Sequence, residues 1–242
     1  MKKTNLGACK LVAQWMLELK PEPCEDIPVF LIHPFITSTM QPVEIDDQMQ
    51  FIDVTKSEEN LDLVRKRYEQ LINEANDVWN LYILLHKPYR TLFFKMIEEH
   101  LSLKDYNEML KESWVCTENP NQDANVSLKE WKEFFLKADR RLLMNDNEYK
   151  IYRNLSNNKP VTVYRGVGIN RNPSGFSWTT DYSMAEWFAK RWGENEDIYI
   201  LKGECNKKDV LAYFEAESEY VIDPKDMNKI ERINIYESNE EK

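Results

Sequence analysis

The stretch Val161-Thr-Val-Tyr-Arg165-Gly-Val-Gly168 marks the point at which this chain of 242 residues changes its structural pattern. Upstream, apolar residues recur every three to four positions, as they do on one face of a helix. Within the stretch, β-branched and aromatic residues instead follow the two-residue period of a strand. The preceding Asn157-Asn-Lys-Pro160 is typical of a turn. The sequence therefore predicts that a β-sheet begins at Val161.

The region upstream of this stretch is predicted to be mainly helical. Ser57-Glu-Glu combines a capping serine with acidic residues at the positive end of a helix dipole, and the apolar spacing continues to Leu85 before Lys87-Pro88 ends the helix. Ser127-Leu-Lys-Glu130 is a capping box that begins a further helix. The remaining predicted elements are helices over residues 6 to 19, from Ser102 and over 147 to 155, and brief strands at 29–32 and 51–54.

The region downstream is predicted to be a sheet with one helix. Thr180-Asp181 caps a helix whose apolar positions are Ala185, Phe188, Ala189 and Trp192, and strands are expected at 198–201, 210–214, 220–222 and 230–235. The predicted fold class is therefore α+β. A mainly helical region, 1–156, is expected to pack on a twisted antiparallel β core, 157–242, and the two to form one compact unit.

Composition and charge exclude some classes of function. The net charge of −10 argues against broad attraction to a nucleic-acid backbone, which requires clustered Lys and Arg. The four cysteines lack CxxC spacing and are expected to be free thiols, and no segment has the apolar length of a membrane span or of a secretion signal. We therefore expect a cytoplasmic protein without a membrane partner. The three histidines, His33, His86 and His100, show no metal-ligand spacing and are assigned to structure.

Arg165 and Gly166 form the first of three patches that carry functional groups. A guanidinium at a strand end can bind a diphosphate bidentately, and the missing side chain of Gly166 is expected to let a ligand approach the backbone. A buried arginine is also a common structural partner of a carboxylate, and this alternative stays open at this point.

The second patch is Gly175-Phe-Ser177-Trp-Thr179-Thr-Asp. On a strand, the hydroxyls of Ser177 and Thr179 face the same side, where they can orient a ribose, while Trp178 faces the other side. Serine and threonine near a helix start can equally serve as caps.

The third patch is Glu215-Ala-Glu217-Ser-Glu219-Tyr-Val-Ile. The two-residue spacing is expected to place the carboxylates of Glu217 and Glu219 on one face of a strand, with Glu215 as a third candidate. A carboxylate can stabilise a cationic sugar transition state. A solvated turn would explain the same acidic residues without a function.

In this order, Tyr164-Arg165-Gly166, Phe176-Ser177-Trp178-Thr179-Thr180 and Glu217-Ser218-Glu219 resemble the arginine-serine-glutamate branch of the ADP-ribosyltransferase superfamily. The resemblance covers roughly residues 160 to 224. It implies a split antiparallel β core with a central NAD⁺ cleft, NAD⁺ as co-substrate and no metal. It also implies toxin-like mono-ADP-ribosyltransferase activity.

The resemblance also implies roles for individual residues. Arg165 would bind the NAD⁺ diphosphate, Ser177 would position the catalytic carboxylate, and Glu219 would contact the ribose 2′-hydroxyl and stabilise the oxocarbenium ion. Glu217 stands where family members that modify arginine carry a glutamate that helps to deprotonate the guanidinium. The family usually reads Ser-Thr-Ser, so if Trp178 took the serine's place, the hydroxyl would come from Thr179 or Thr180.

The acceptor is expected to be a macromolecule. Protein arginine is favoured by the Glu-x-Glu resemblance, and a base of RNA or DNA is the alternative. A toxin in a toxin-antitoxin pair or in phage defence would suit the chain, with an antitoxin or inhibitor protein as partner. An NAD glycohydrolase and a non-catalytic interaction module are the remaining alternatives.

Overall fold

The computed structural model describes residues 2–191, 193 and 198–235. These residues form an α+β protein with helices and a six-stranded antiparallel sheet, so the predicted class is confirmed. The chain divides into two compact units, Met1–Thr117 and Glu118–Lys242. Among the described residues, no helix combines the length and the apolar character that crossing a bilayer requires.

The division between the compact units lies upstream of the change in secondary structure. The change from helix to strand does occur after residue 156, but the chain forms two units rather than one, and their boundary is at 117/118. Helices between these two points pack on the sheet: the ring of Phe135 lies 6.4 Å from that of Phe214, and the backbone N–H of Tyr213 donates to Sδ of Met144. These helices belong with the sheet because they cover its apolar residues.

The first unit is built from helices and short hairpins. Its buried side chains include Met16, Ile72, Phe93, Phe94 and Trp114. The helices are α1 (Leu6–Leu17), α2 (Glu58–Glu74), α3 (Val78–Leu84), α4 (Lys87–Ile97) and α5 (Leu103–Val115), and the strands are β1 (Glu22–Pro23), β2 (Leu31–Ile32), β3 (Met40–Ile45) and β4 (Gln48–Asp53).

The long helix predicted from Ser57 to Leu85 is wrong, because the chain breaks into α2 and α3. Ala75 leaves the helical region with ψ 128°, and the side chain of Asp77 then accepts from the backbone N–H of Asn80 to begin α3. Pro88 does not stop a helix either, since it lies in the first turn of α4. A proline is tolerated there because the first helical N–H groups have no intrahelical partner.

The second unit carries the six-stranded sheet. The predicted capping box at Ser127 and the predicted cap at Asp181 are both confirmed. The predicted Trp192 position lies outside the described residues. The helices are α6 (Leu128–Lys137), α7 (Arg140–Leu143), α8 (Asp146–Asn154) and α9 (Tyr182–Lys190), and the strands are β5 (Val161–Val167), β6 (Ser177–Thr179), β7 (Tyr199–Cys205), β8 (Val210–Phe214), β9 (Glu219–Ile222) and β10 (Asn228–Asn234).

The sheet consists of two three-stranded halves. Its strand order is β10-β7-β5-β6-β9-β8, and all pairs are antiparallel. Strand β5 pairs with β7 along its whole length, whereas it meets β6 at one register pair, Tyr164–Thr179. Little backbone pairing therefore holds the two halves together, and contacts between side chains and the backbone must stabilise the junction between β5 and β6.

Each face of the sheet has its own apolar cover. Val163, Trp178 and Tyr213 belong to a buried cluster with Met144, which follows α7. Ala185 and Ala189 of α9 pack on the other face with Ile198 and Ile200, in a second cluster.

Both ring nitrogens of the buried His33 in the first unit have backbone hydrogen-bond partners. Its Nδ1 accepts from the N–H groups of Phe35 and Ile36 at 3.0 and 2.9 Å, and its Nε2 lies 3.1 Å from the carbonyl of Leu19. Because amides only donate and carbonyls only accept, the ring is neutral with its proton on Nε2. Burial lowers the pKa of His33 to about 4.

We predict that acidification destabilises the first unit through His33. The unfolded histidine binds its proton near pH 6.5 and the folded one near pH 4, so the unfolded state binds more protons between these values. The free energy of unfolding should fall by about 2 kcal/mol between pH 7 and pH 5. Urea denaturation at both pH values measures it. In His33→Gln the fall should largely disappear, and a fall of equal size in that variant would contradict the prediction.

Candidate functional site

The three patches lie on adjacent strands of the second unit. Strand β6 stands between β5, which carries Arg165, and β9, which begins at Glu219. Thr179 is in register with Tyr164 on one side and with Glu219 on the other. The topology therefore brings the predicted guanidinium, hydroxyls and carboxylate of three separate stretches together at the junction between the halves of the sheet.

Arg165 closes this junction. Its side chain is 8% exposed, Nη1 donates to the carbonyl of Ser177 and Nη2 to that of Asn172, both at 2.9 Å, and its buried Nε has no hydrogen-bond partner among the described residues. Burial lowers the pKa of Arg165 to about 10, with Glu219 acting in the opposite direction. The guanidinium therefore stays charged at neutral pH, close enough to Glu219 for their charges to interact.

Arg171 lies near Arg165, and Arg191 in turn lies near Arg171; the sequence analysis found neither of them. The charge of Arg171 depresses the pKa of Arg165. Burial first, and then the charge of Arg191, lower the pKa of Arg171 in turn. In a protein of net charge −10 this is a local concentration of guanidinium groups, partly offset by Glu219 near Arg165 and by Glu118 near Arg171. Such a cluster can bind a diphosphate, and the unpartnered Nε of Arg165 could donate to one of its oxygens.

Ser177 is held by a residue that the sequence analysis also missed. Asn121, in the turn Pro120–Gln122, donates from Nδ2 to Oγ of Ser177 at 2.8 Å and accepts from the N–H of Phe176 at 2.6 Å. The run Asn119-Pro-Asn-Gln122 signals a turn, but nothing local in the sequence indicates its partner 56 positions away.

Strand β6 has the alternation that was predicted. Trp178 is 2% exposed and lies in the core, and its Nε1 donates to the carbonyl of Gly175. The alternative with Trp178 in the place of the family's serine therefore does not fit. Thr179 is buried, and its hydroxyl accepts from the N–H of Asp181, so it helps to begin α9. Ser177, which is half-buried, is the hydroxyl that can face a ligand.

The two glutamates occupy different environments, and the prediction that both face one side of a strand is wrong. Glu219 is half-buried at the first position of β9. Glu217 is exposed in the turn before the strand, and Ser218 between them has a φ of 48°, which breaks the alternation. Glu217 lines a hollow of about 450 Å³ together with Asp181, Ser183, Met184, Trp187 and Phe188.

Gly166 permits close packing of α9 and does not open the backbone to a ligand, although the sequence had predicted that it would. A Cβ at this position would lie 2.0 Å from the carbonyl oxygen of Ala185 and 2.6 Å from the backbone nitrogen of Ala189. The backbone of α9 therefore fills the space through which a ligand was expected to approach. Glycine is required here for close packing of the helix on the sheet, which corrects its assignment to the NAD⁺ site.

Comparison of the chain with protein-family models, with curated proteins and with solved structures finds no match in any of the three. Within the described ranges, no group of three or more His, Cys, Asp or Glu side chains is arranged to hold a metal ion.

We predict that Gly166→Ala destabilises the second unit by about 3 kcal/mol, because the new methyl group overlaps backbone that cannot move independently of α9. The matched control is Gly7→Ala, where the nearest atom to the added Cβ is Oδ1 of Asn5 at 3.5 Å. That change should be neutral or stabilise α1 by up to about 1 kcal/mol. Thermal and urea unfolding measure both variants, and a Gly166→Ala protein as stable as wild type would refute the packing role.

Proposed function

We propose that this protein is an NAD-dependent mono-ADP-ribosyltransferase with a fold of the ADP-ribosyltransferase type. The observation that carries the proposal is the adjacency of β5, β6 and β9, which brings Arg165, Ser177 and Glu219 to one junction in the order that the resemblance requires. A non-catalytic module would not need a buried cation, a fixed hydroxyl and a half-buried carboxylate at the same place.

The arginine cluster fits the diphosphate of NAD⁺. The charge of Arg171 lowers the pKa of Arg165, and that of Arg191 lowers the pKa of Arg171, so like charges are held close together here and an anion between them would be stabilised. Arg165 can contribute its Nε, Arg171 can contribute positive charge beside it, and Arg191 can contribute positive charge beside Arg171. The proposed diphosphate site thus includes two residues beyond the arginine of the motif.

Glu219 is suited to stabilise positive charge on the ribose. Cleavage of the bond between nicotinamide and ribose is the chemistry that NAD⁺ supplies, and it leaves cationic character on the sugar. Glu219 is half-buried and its charge interacts with that of Arg165, and partial exclusion of water strengthens the effect of a carboxylate on positive charge at the ribose. Ser177, on the neighbouring strand, can hydrogen-bond this carboxylate or the ribose.

The hollow beside Glu217 supports transfer to a guanidinium. It combines the carboxylates of Glu217 and Asp181 with the exposed ring of Trp187. The guanidinium of Arg191 already lies 5.2 Å from the centroid of this indole, so the acceptor guanidinium would stack on the opposite face of the ring while it pairs with a carboxylate. In this proposal Glu217 takes a proton from the acceptor guanidinium as its nitrogen forms the new bond to the ribose carbon. This set of groups favours a guanidinium over water as the acceptor, since water needs no ring on which to stack.

Labelled NAD⁺ tests the proposed function. Purified protein incubated with NAD⁺ carrying a label on its adenosine half should transfer that label to protein in a cell lysate, and protease should release it. Glu219→Gln should reduce transfer at least about 100-fold, because it removes the charge that opposes the ribose cation. The control is Glu215→Gln, an exposed carboxylate four positions earlier, which should keep full activity.

Other products would contradict parts of this proposal. Label released by nuclease would show a base of RNA or DNA as the acceptor. Release of nicotinamide without any labelled macromolecule would show a glycohydrolase. If the wild-type protein neither labels a macromolecule nor releases nicotinamide, the proposal that it acts on NAD⁺ is overturned.

We predict that the hollow affects acceptor use and not NAD⁺ cleavage. Glu217→Gln and Trp187→Ala should each lower protein labelling at least about tenfold, while nicotinamide release to water changes less than about twofold. The control is Trp15→Ala in the first unit, since Trp15 and Trp187 are 55% and 54% exposed. If Trp15→Ala reduced labelling and Trp187→Ala did not, acceptor recognition would belong to the first unit instead.

A further inference from the structure

We propose that Asn121 is a positioning residue that fixes the direction in which the Ser177 hydroxyl donates its proton. This inference rests on the proposed function and adds to it a residue outside the motif. Asn121 lies in a turn that precedes the whole sheet, yet it is 8% exposed and contacts both Phe176 and Ser177.

The orientation of the Asn121 amide follows from its partners. The backbone N–H of Phe176 can only donate, so the amide oxygen must face it, and these atoms lie 2.6 Å apart. The amide nitrogen is then directed at Oγ of Ser177, at 2.8 Å. Because an amide nitrogen can only donate, the serine oxygen accepts this bond. The hydroxyl proton of Ser177 must therefore be donated to a different group.

The face of the strand indicates where that proton goes. Ser177 and Thr179 share a face of β6, and Thr179 is in register with Glu219. Ser177 and Glu219 are therefore diagonal neighbours, a separation that a glutamate side chain can span. Because Asn121 already donates to Oγ of Ser177, the Ser177 hydroxyl can donate its own proton to the Glu219 carboxylate, or to a ribose oxygen bound between Ser177 and Glu219.

A closed ring of hydrogen bonds keeps Asn121 in place. Arg165 donates to the carbonyls of Ser177 and Asn172, and the side chain of Asn172 donates to the carbonyl of Asn121 at 3.3 Å. Gly175 leaves room for this arrangement, since a Cβ there would lie 2.2 Å from Nη2 of Arg165 and 2.9 Å from Cγ of Asn121. The same ring therefore fixes both the guanidinium and the hydroxyl of the site.

Asn121→Asp tests the inference without changing the shape of the side chain. A carboxylate still accepts from Phe176, but it cannot donate, so the Ser177 hydroxyl would turn to donate to Asp and away from Glu219. Nicotinamide release should fall about 10- to 100-fold in kcat, with KM for NAD⁺ changed less than about threefold. Part of the loss should be regained as the pH is lowered through the pKa of the new acid, because a protonated Asp can donate again.

Asn121→Asp changes the direction of the Ser177 hydrogen bond and also adds a negative charge. The variant Ser177→Ala distinguishes these two effects. In a Ser177→Ala background, Asn121→Asp should lower kcat for nicotinamide release less than about twofold, since no hydroxyl remains whose hydrogen bond could change direction. An equal loss in both backgrounds would show that the negative charge acts directly on Glu219, and the inference would be overturned.

A nuclear magnetic resonance measurement gives a readout that needs no turnover. One side-chain NH₂ proton of Asn121 should be shifted downfield in the wild type and lose that shift in Ser177→Ala. The same position in both proteins would overturn the inference. Absence of turnover in a wild-type protein that shows the shift would instead overturn the proposed function, so the two failures can be told apart.

Discussion

The structure of the second unit depends on the burial of the Arg165 guanidinium between the two halves of the sheet. Strands β5 and β6 share one register pair, so backbone pairing alone holds the halves together weakly. The guanidinium crosses the junction and donates to carbonyls of Ser177 and Asn172. A buried cation is tolerated only where such acceptors are in place, and this requirement determines the path of the loop from Asn172 to Ser177.

The same constraint explains why the loop contains Gly175. Any side chain at that position would overlap Arg165 and Asn121, so the glycine is required for the hydrogen-bond ring rather than for a turn conformation. Gly166 is required in the same way by α9. Both glycines therefore permit close packing around the junction, and in the proposed function the polar side chains beside them would face the ligand.

Much of the sheet could be predicted from the sequence, whereas the environment of the site could not. Strand β8 was predicted at its observed bounds because a short apolar run between turns is a local signal. The break at Ala75 and the positive φ of Ser218 depend on side-chain capping and turn geometry that periodicity does not contain. Asn121 and Arg171 join the site through tertiary contacts, which a single sequence does not encode in any local pattern.

In the proposed reaction, the different environments of Glu219 and Glu217 suit the two carboxylates to different roles. Glu219 lies half-buried near a buried cation, where a fixed negative charge acts strongly on a developing positive one. Glu217 lies two positions earlier but is exposed, because Ser218 turns the chain away from the strand. In the proposed reaction, an exposed carboxylate can release to solvent the proton that it takes from the acceptor, and is then ready for the next transfer of ADP-ribose. Had both continued the strand, like charges on one face would have opposed each other, so the turn at Ser218 separates the two carboxylates.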